Sequence, residues 1–313
     1  MSERAGSGAT PRAPDGVPSI VFIGGTGRSG THVVARLLGR HSSYENISNE
    51  VRFHVDPGGF PDLLAGRTTP EAFAKRMRGR WYRGVALQRA SLRGLHRYVE
   101  RPALDAAVDR FLAAYDGDPE GACRNLFLDL LAPIPAAAGK PGLIEQSCDT
   151  VAQAPTLLRL FPDARFIHVV RDGRDTAASR VAQARWLAKP RNLREGLEWW
   201  EGRMRRINEG MKAIPDEQSI AVSLDELIDL RRQTTYKRLR RFLGLKNEKA
   251  MRGFFRRQVS GGAGHVGRWR KRGDEAFQAE IDGSYRRILD GFQRDGVNGT
   301  RMLDRVYRAR EGQ

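Results

Sequence analysis

The segment Ile20-Val21-Phe22-Ile23-Gly24-Gly25-Thr26-Gly27-Arg28-Ser29-Gly30-Thr31-His32 constrains the fold more than any other stretch of the chain. β-Branched and aromatic residues suit a buried, pleated strand, predicted over Ser19–Gly24. The glycines that follow allow φ > 0 and let the backbone approach a ligand closely. A helix is expected from roughly Thr31 to Arg40. Its unpaired N–H groups and positive dipole end then point back at the turn, which makes an anion site at the edge of a sheet. Arg28, Ser29 and Thr31 add a cation and two hydroxyls.

A second strand ends in an arginine. Phe166-Ile167-His168-Val169-Val170-Arg171-Asp172-Gly173-Arg174-Asp175 runs on to Ser179, eight residues after Arg171. The first segment is built to hold one phosphate, and the second suits another phosphate of the same nucleotide. Two separate phosphate groups point to a 3′-phosphorylated adenine nucleotide rather than ATP. The nucleotide triphosphatase loop requires Gly-x-x-x-x-Gly-Lys followed by Ser or Thr. Gly25 and Gly30 have that spacing, but Thr31 stands in place of the lysine and His32 in place of the magnesium-binding hydroxyl. The cation, Arg28, lies inside the loop instead. Taken alone, a glycine-rich turn also fits a plain strand-to-helix connection.

Further strands are predicted at Tyr44–Ser48, Leu143–Gln146, Arg165–Val170 and Ser219–Val222, with helices between them. Thr69-Pro70-Glu71 is a good helix start, with a capping hydroxyl, a proline at the first helical position and an acid in the first turn. From Thr69 to Leu131 the chain reads as mostly helical. Helices are also expected from Val151 to Phe161, from Asp175, and from Leu193 to Ile214. The C-terminal third reads as helical apart from a loop over Ser260–Gly273. Strands alternating with helices imply an α/β fold, three-layer α/β/α with a central parallel sheet. The P-loop-like phosphate-binding loop then sits at the carboxyl ends of the strands. A helical insertion covers about 60–135.

Several motifs in this order carry a resemblance. Gly27-Arg28-Ser29-Gly30-Thr31 resembles the 5′-phosphosulfate loop of sulfotransferases that use 3′-phosphoadenosine-5′-phosphosulfate (PAPS). Val170-Arg171-Asp172-Gly173-Arg174-Asp175 through Ser179 resembles their 3′-phosphate segment. Leu160-Phe161-Pro162-Asp163-Ala164, Leu224-Asp225-Glu226-Leu227 and Phe242-Leu243-Gly244-Leu245 also resemble family segments. Gly267-Arg268-Trp269 is similar to the C-terminal phosphate-contacting loop. The likeness spans roughly Ile20 to Lys271. It implies PAPS as sulfuryl donor and no metal. It also implies a cofactor site built from Gly27, Arg28, Ser29, Gly30, Thr31, His32, Arg171, Ser179, Gly267, Arg268 and Trp269.

Sulfuryl transfer needs an acceptor hydroxyl deprotonated as it attacks, and cations on the charge that develops. Asn49-Glu50-Val51-Arg52 follows the second strand. It resembles the glutamate region of tyrosylprotein and bacterial carbohydrate sulfotransferases, with about one residue of extra spacing. The resemblance makes Glu50 the base, with Arg28 and Arg52 beside it. His54 and Glu45 are the alternatives. A plain structural role for Glu50, capping a loop or pairing on the surface, is the rival reading. His168 lies inside an apolar strand and reads as a core histidine. His32 reads as a helix-start residue lining the loop, and His265 as a residue of the C-terminal loop. Many relatives carry Glu-Lys-Thr-Pro where this chain has Glu145-Gln146-Ser147-Cys148, so the usual lysine is missing and Arg28 is the first candidate to replace it. Trp199 and Trp200 fit a helical core pattern.

Composition narrows the alternatives. The chain of 313 residues suits one large domain over 19–313, preceded by a polar, Gly-, Ala- and Pro-rich tail over 1–18 read as disordered. Two cysteines, Cys123 and Cys148, form no disulfide framework or metal cluster. With no signal-peptide pattern and no apolar stretch of membrane-spanning length, the expected location is cytoplasmic. The net charge of +17 fits an enzyme for anionic ligands. Only eight of the 54 cations are lysines, and the arginines are spread along most of the chain without a nucleic-acid-reading motif. No specific nucleic-acid partner is therefore expected. The expected partner is a small-molecule, carbohydrate or peptide acceptor. Two other readings stay open, a P-loop-type nucleotide kinase and a non-catalytic nucleic-acid-binding protein.

Overall fold

The computed structural model describes residues 17–84, 94–183, 190–261 and 266–311. Five parallel strands form one sheet in the order β2-β3-β1-β4-β5: β1 Ser19–Gly25, β2 Tyr44–Asn46, β3 Gly142–Glu145, β4 Arg165–Val170 and β5 Ser219–Ser223. The first strand is therefore the central one. It pairs with β3 from Ser19↔Gly142 to Phe22↔Glu145, and with β4 from Val21↔Arg165 to Gly25↔Val169. Strand order reverses at β1, and the crevice beyond the carboxyl ends at such a point is where open α/β sheets bind ligands.

Alternation along β1 divides the core. Val21 and Ile23 join Ile144, Ile167, Val169 and Val222 under the Thr31–Leu38, Arg232–Phe242 and Lys249–Gln258 helices. Ile20 and Phe22 point the other way, to Leu143, Phe166 and the helices that connect β2 to β3. Those include Pro70–Arg76, Arg101–Tyr115 and Pro119–Leu131, and the last two pack against each other. Thr69 caps its helix as expected, its hydroxyl accepting the Ala72 N–H at 3.2 Å. A third apolar cluster joins Val170 and Trp200 to the C-terminal helices Glu275–Arg294 and Thr300–Arg310.

Most departures from the sequence reading concern ends of elements. The helix expected from Val151 begins at Ala154, because residues 147–153 form turns that close over the end of β3. The Leu193 helix ends at Met211 rather than Ile214. Within the expected loop over 260–273, Arg268–Lys271 forms a short 3₁₀ turn, and residues 262–265, with His265, lie outside the described residues. The tail expected over 1–18 lies almost wholly outside them too. Among the described residues no helix is long and apolar enough to cross a membrane.

Candidate active site

The turn after β1 is shaped by left-handed backbone. Gly27, Arg28 and Gly30 have φ of 80°, 62° and 95°. Among the described residues only two others than glycine have positive φ, Arg28 and Arg52 (61°), and both are predicted site arginines. Such a conformation costs about 1–3 kcal/mol in a non-glycine residue and gathers at functional sites. Gly25 has no alternative either, since a β-carbon there would lie 2.6 Å from the Val169 carbonyl. A side chain at Gly30 would meet Leu224 at 2.6 Å, so Leu224, in the Leu224–Leu227 segment, packs directly under the turn.

The two predicted phosphate segments meet. Arg171, at the end of β4, donates to the Arg28 carbonyl at 3.0 Å, and Arg28 Nε donates to Ser179 Oγ at 3.1 Å. Burial, then the charge of Arg171 and, more weakly, that of Arg268, push the Arg28 guanidinium below its ordinary pKa. Three predicted cofactor-site arginines therefore share one region, with Arg171 and Arg268 both near enough to act on the charge of Arg28. The Ser29 hydroxyl is buried inside the turn and has no hydrogen-bond partner among the described residues. These residues fit a phosphorylated ligand.

Gly267, Arg268 and Trp269 are held close by from the other side. The Gly267 N–H donates to Asp175 Oδ2 at 2.8 Å, and the Trp269 N–H to Asp175 Oδ1 at 3.4 Å. Trp269 is buried, and the Arg174 guanidinium stacks over its ring at 4.8 Å. Asp175 opens the helix Gly173–Gln183 that follows β4, so one short stretch of chain carries Arg171, Asp175 and Ser179.

Glu50 and Arg52 sit at the mouth of a carboxylate cage. Arg52 donates from NH1 to Glu50 at 2.7 Å, from Nε to Asp56 at 2.7 Å and from NH2 to Asp149 at 3.0 Å. Burial opposes the Arg52 charge, but Glu50, Asp56 and Asp149 outweigh it and hold the guanidinium protonated, with its pKa raised. Asp149 reaches outward as well, to Arg203 at 2.8 Å and Arg206 at 3.0 Å. The other oxygen of Glu50 accepts from the Cys148 thiol at 3.2 Å and lies 3.8 Å from His32 Nε2. Burial, and then Glu50, push the Cys148 thiol above its ordinary range, which keeps it a neutral donor. Among the described residues, no group of three or more His, Cys, Asp and Glu is placed to hold a metal ion.

The alternatives lie elsewhere. His54 is fully buried and pairs with Glu145 at 3.0 Å, packed against Phe22, Phe53 and Phe127. Glu45 pairs with Lys140 at 2.7 Å on the edge strand. His168 is a core histidine held by Asn298 at 3.0 Å, and burial brings its pKa down to about 4. Gln146, at the position of the missing lysine, is buried and turned to the Ser48 carbonyl at 3.4 Å. The tryptophans divide. Trp200 is core, between Tyr285 and Phe292. Trp199 is half-buried, and its ring edge comes within 4.0 Å of a β-carbon built on Gly27, with Arg180 stacked on it at 5.1 Å. Trp199 borders the loop, which its helical spacing did not distinguish from the core pattern. Asp149, Cys148 and Asp175 were also missed as site residues, because a single acid or thiol beside a strand end has no local signature.

A family model described as "Sulfotransferase family" matches residues 18–249. The chain is 22% identical over 214 residues to a protein-tyrosine sulfotransferase of Drosophila melanogaster, covering 67% of this chain. It spans about a third of the length of that curated relative, 35%. Among solved structures it is similar to the sulfotransferase domain from the Synechococcus PCC 7002 olefin synthase, with 15% identity, coverage of 85% of this chain and 92% of that one, and a TM-score of 0.49. It is also similar to mouse sulfotransferase SULT7A1 complexed with PAP, with 12% identity, coverage of 92% and 88%, and a TM-score of 0.49.

Proposed function

The chain belongs to the sulfotransferase family, and from that premise we propose that it moves the sulfuryl group of PAPS to an acceptor hydroxyl. The observation that carries this reading is the junction of Arg28, Arg171 and Ser179, where two phosphate-type segments 143 residues apart meet beside a buried glutamate. PAPS supplies the sulfuryl group and leaves as the 3′,5′-bisphosphate, PAP.

In this reading the turn Gly27–His32 holds the 5′ side of the nucleotide. Its backbone N–H groups and the orphaned Ser29 hydroxyl supply hydrogen bonds, and Arg28 supplies positive charge where the leaving oxygen develops its own. Arg171 and Ser179, with Gly267, Arg268 and Trp269, hold the 3′-phosphate side. Trp199 offers an aromatic edge beside the turn. Glu50 takes the proton of the acceptor hydroxyl. Arg52 does not need to touch the acceptor: with three carboxylates around it, its work is to fix the direction of Glu50. The acceptor, a carbohydrate, a phenol or tyrosyl group, or a natural product, is held against the described residues of 53–84 and 94–131.

The test is incubation of the chain with PAPS and pools of each acceptor class, read by mass spectrometry. A new product carrying an added sulfate, formed together with PAP, is expected. Release of PAP to water alone, with no sulfated product from any class, overturns the reading.

A further inference from the structure

We propose that Asp175 is a positioning residue for the nucleotide: its carboxylate, by accepting the backbone N–H groups of Gly267 and Trp269, fixes the Gly267–Trp269 segment against the helix that follows β4. This inference rests on the nucleotide reading above, in which that segment faces the 3′-phosphate. Asp175 stands four residues after Arg171 and four before Ser179 on one turn-and-helix. The carboxylate spends both oxygens on the segment, at 2.8 and 3.4 Å. Charge-assisted bonds to backbone N–H groups are stronger than neutral ones and fix geometry. One side chain therefore sets the distance between the two walls of the proposed 3′-phosphate site.

The surroundings are poor for a carboxylate kept only for stability. Asp175 is fully buried. Asp172 faces it from its own turn, and Asp225 from the end of β5. Arg171 faces it from the end of β4, and Arg310 reaches it from the C-terminal helix at only 4.0 Å, while bonding Asp225 at 3.0 Å. Burial and the repulsion of Asp172 outweigh the Gly267 N–H and Arg171, and raise the Asp175 pKa to about 6. An acid whose folded pKa is raised costs stability when ionised. That cost is fully present above about pH 6 and is relieved as pH falls from there toward the ordinary carboxylate range near 4. The ionised form is thus held against a stability cost, and it is the form that can accept both N–H groups. Protonation turns one oxygen into a donor and releases one of them.

The consequence is a split that a scaffolding acid does not give. Asp175→Asn removes the buried charge and one acceptor but keeps the shape. Thermal melting at pH 8 is expected at or above the native midpoint. Affinity for PAP, by calorimetry, is expected to fall about tenfold or more, with affinity for AMP, which lacks the 3′-phosphate, unchanged. A native chain that fails to prefer PAP over AMP overturns the nucleotide reading and this inference with it. A native preference that the variant keeps in full overturns the role of Asp175 alone, as does equal weakening of PAP and AMP together with a lowered midpoint. Should the variant not fold, hydrogen exchange on the native chain decides. Protection of the Gly267–Trp269 amides, corrected for intrinsic rates, should drop from pH 8 to pH 5, and equal protection at both pH values overturns the inference.

Discussion

Two clusters of buried acids and arginines stand beyond the strand ends, and they are built differently. In the cage after β2 and β3, one guanidinium, Arg52, serves Glu50, Asp56 and Asp149. In the cluster after β4 and β5, Asp172, Asp175 and Asp225 face Arg174 and Arg310. Asp172 there is filled by its own neighbours: it accepts the Arg174 N–H at 2.8 Å, the Arg174 guanidinium at 2.5 Å and the Asp175 N–H at 3.3 Å, and Arg174 drives its pKa down against burial. The C-terminal helix closes that cluster with Arg310. Glu50 instead sits beside an exposed histidine and the phosphate turn, with a neutral thiol on its outer oxygen. In the proposed function these residue types make a base at Glu50, beside the turn after β1, whereas at Asp172 they make a carboxylate enclosed by its own neighbours.

The largest effect is expected at Glu50. Glu50→Gln keeps size and removes basicity, and loss of a general base lowers single-turnover transfer about 10²–10⁴-fold. Affinity for PAP should stay within about twofold, since the proposed nucleotide contacts lie on other residues. Transfer at the native rate would move Glu50 into the structural class. Arg174→Ala tests the other cluster. It leaves Asp172 buried without its cation, a change that costs about 3–5 kcal/mol of folding stability, read from denaturant midpoints. An unchanged midpoint would show that the closed cluster is not a structural core.

A smaller effect sharpens the boundary between the two. Arg171 belongs to the β4 end yet points to the phosphate turn, donating to Arg28. Arg171→Ala should weaken PAP by about 1.5–3 kcal/mol, the worth of a charge-assisted hydrogen bond, and narrow its advantage over AMP. Undiminished discrimination in calorimetry would place Arg171 with the structural arginines. The smallest effect is expected from EDTA. With arginines and helix N–H groups supplying the positive charge, transfer should proceed at an unchanged rate. Loss on chelation, restored by magnesium, would favour a kinase.

What the sequence reveals follows the range over which its signals act. The strand Arg165–Val170 and the turn Gly27–Thr31 are legible because period, glycine placement and spacing are local. The spacing of Arg171 and Ser179 is local too, and the family resemblance adds Glu50 as a proposal, which the structure places beside His32 and Arg52. The links between these pieces are not local. Arg52 meets Asp149 across 97 residues, and Asp175 meets Gly267 across 92. Neither partner carries a mark that names the other. Trp199 and Trp200 share one helix, and only the direction in which each ring leaves it separates loop border from core. His54 is the converse case: its residue type suits proton transfer, but the aromatic wall around it and Glu145 commit it to the interior.

The position of β1 at the centre of the sheet has a consequence for synthesis. Its neighbours begin at Gly142 and Arg165, so when Ser19–Gly25 leaves the ribosome, 116 residues still separate it from the nearer one. At about 5–20 residues per second, a strand of Ile, Val and Phe with both edges bare waits on the order of 6–25 seconds for a partner. Exposed apolar edges of that kind invite pairing between chains. A nascent chain of this protein therefore depends on something else to cover its first strand during that interval, and truncated products ending before Gly142 should be recovered bound to chaperones or in the insoluble fraction.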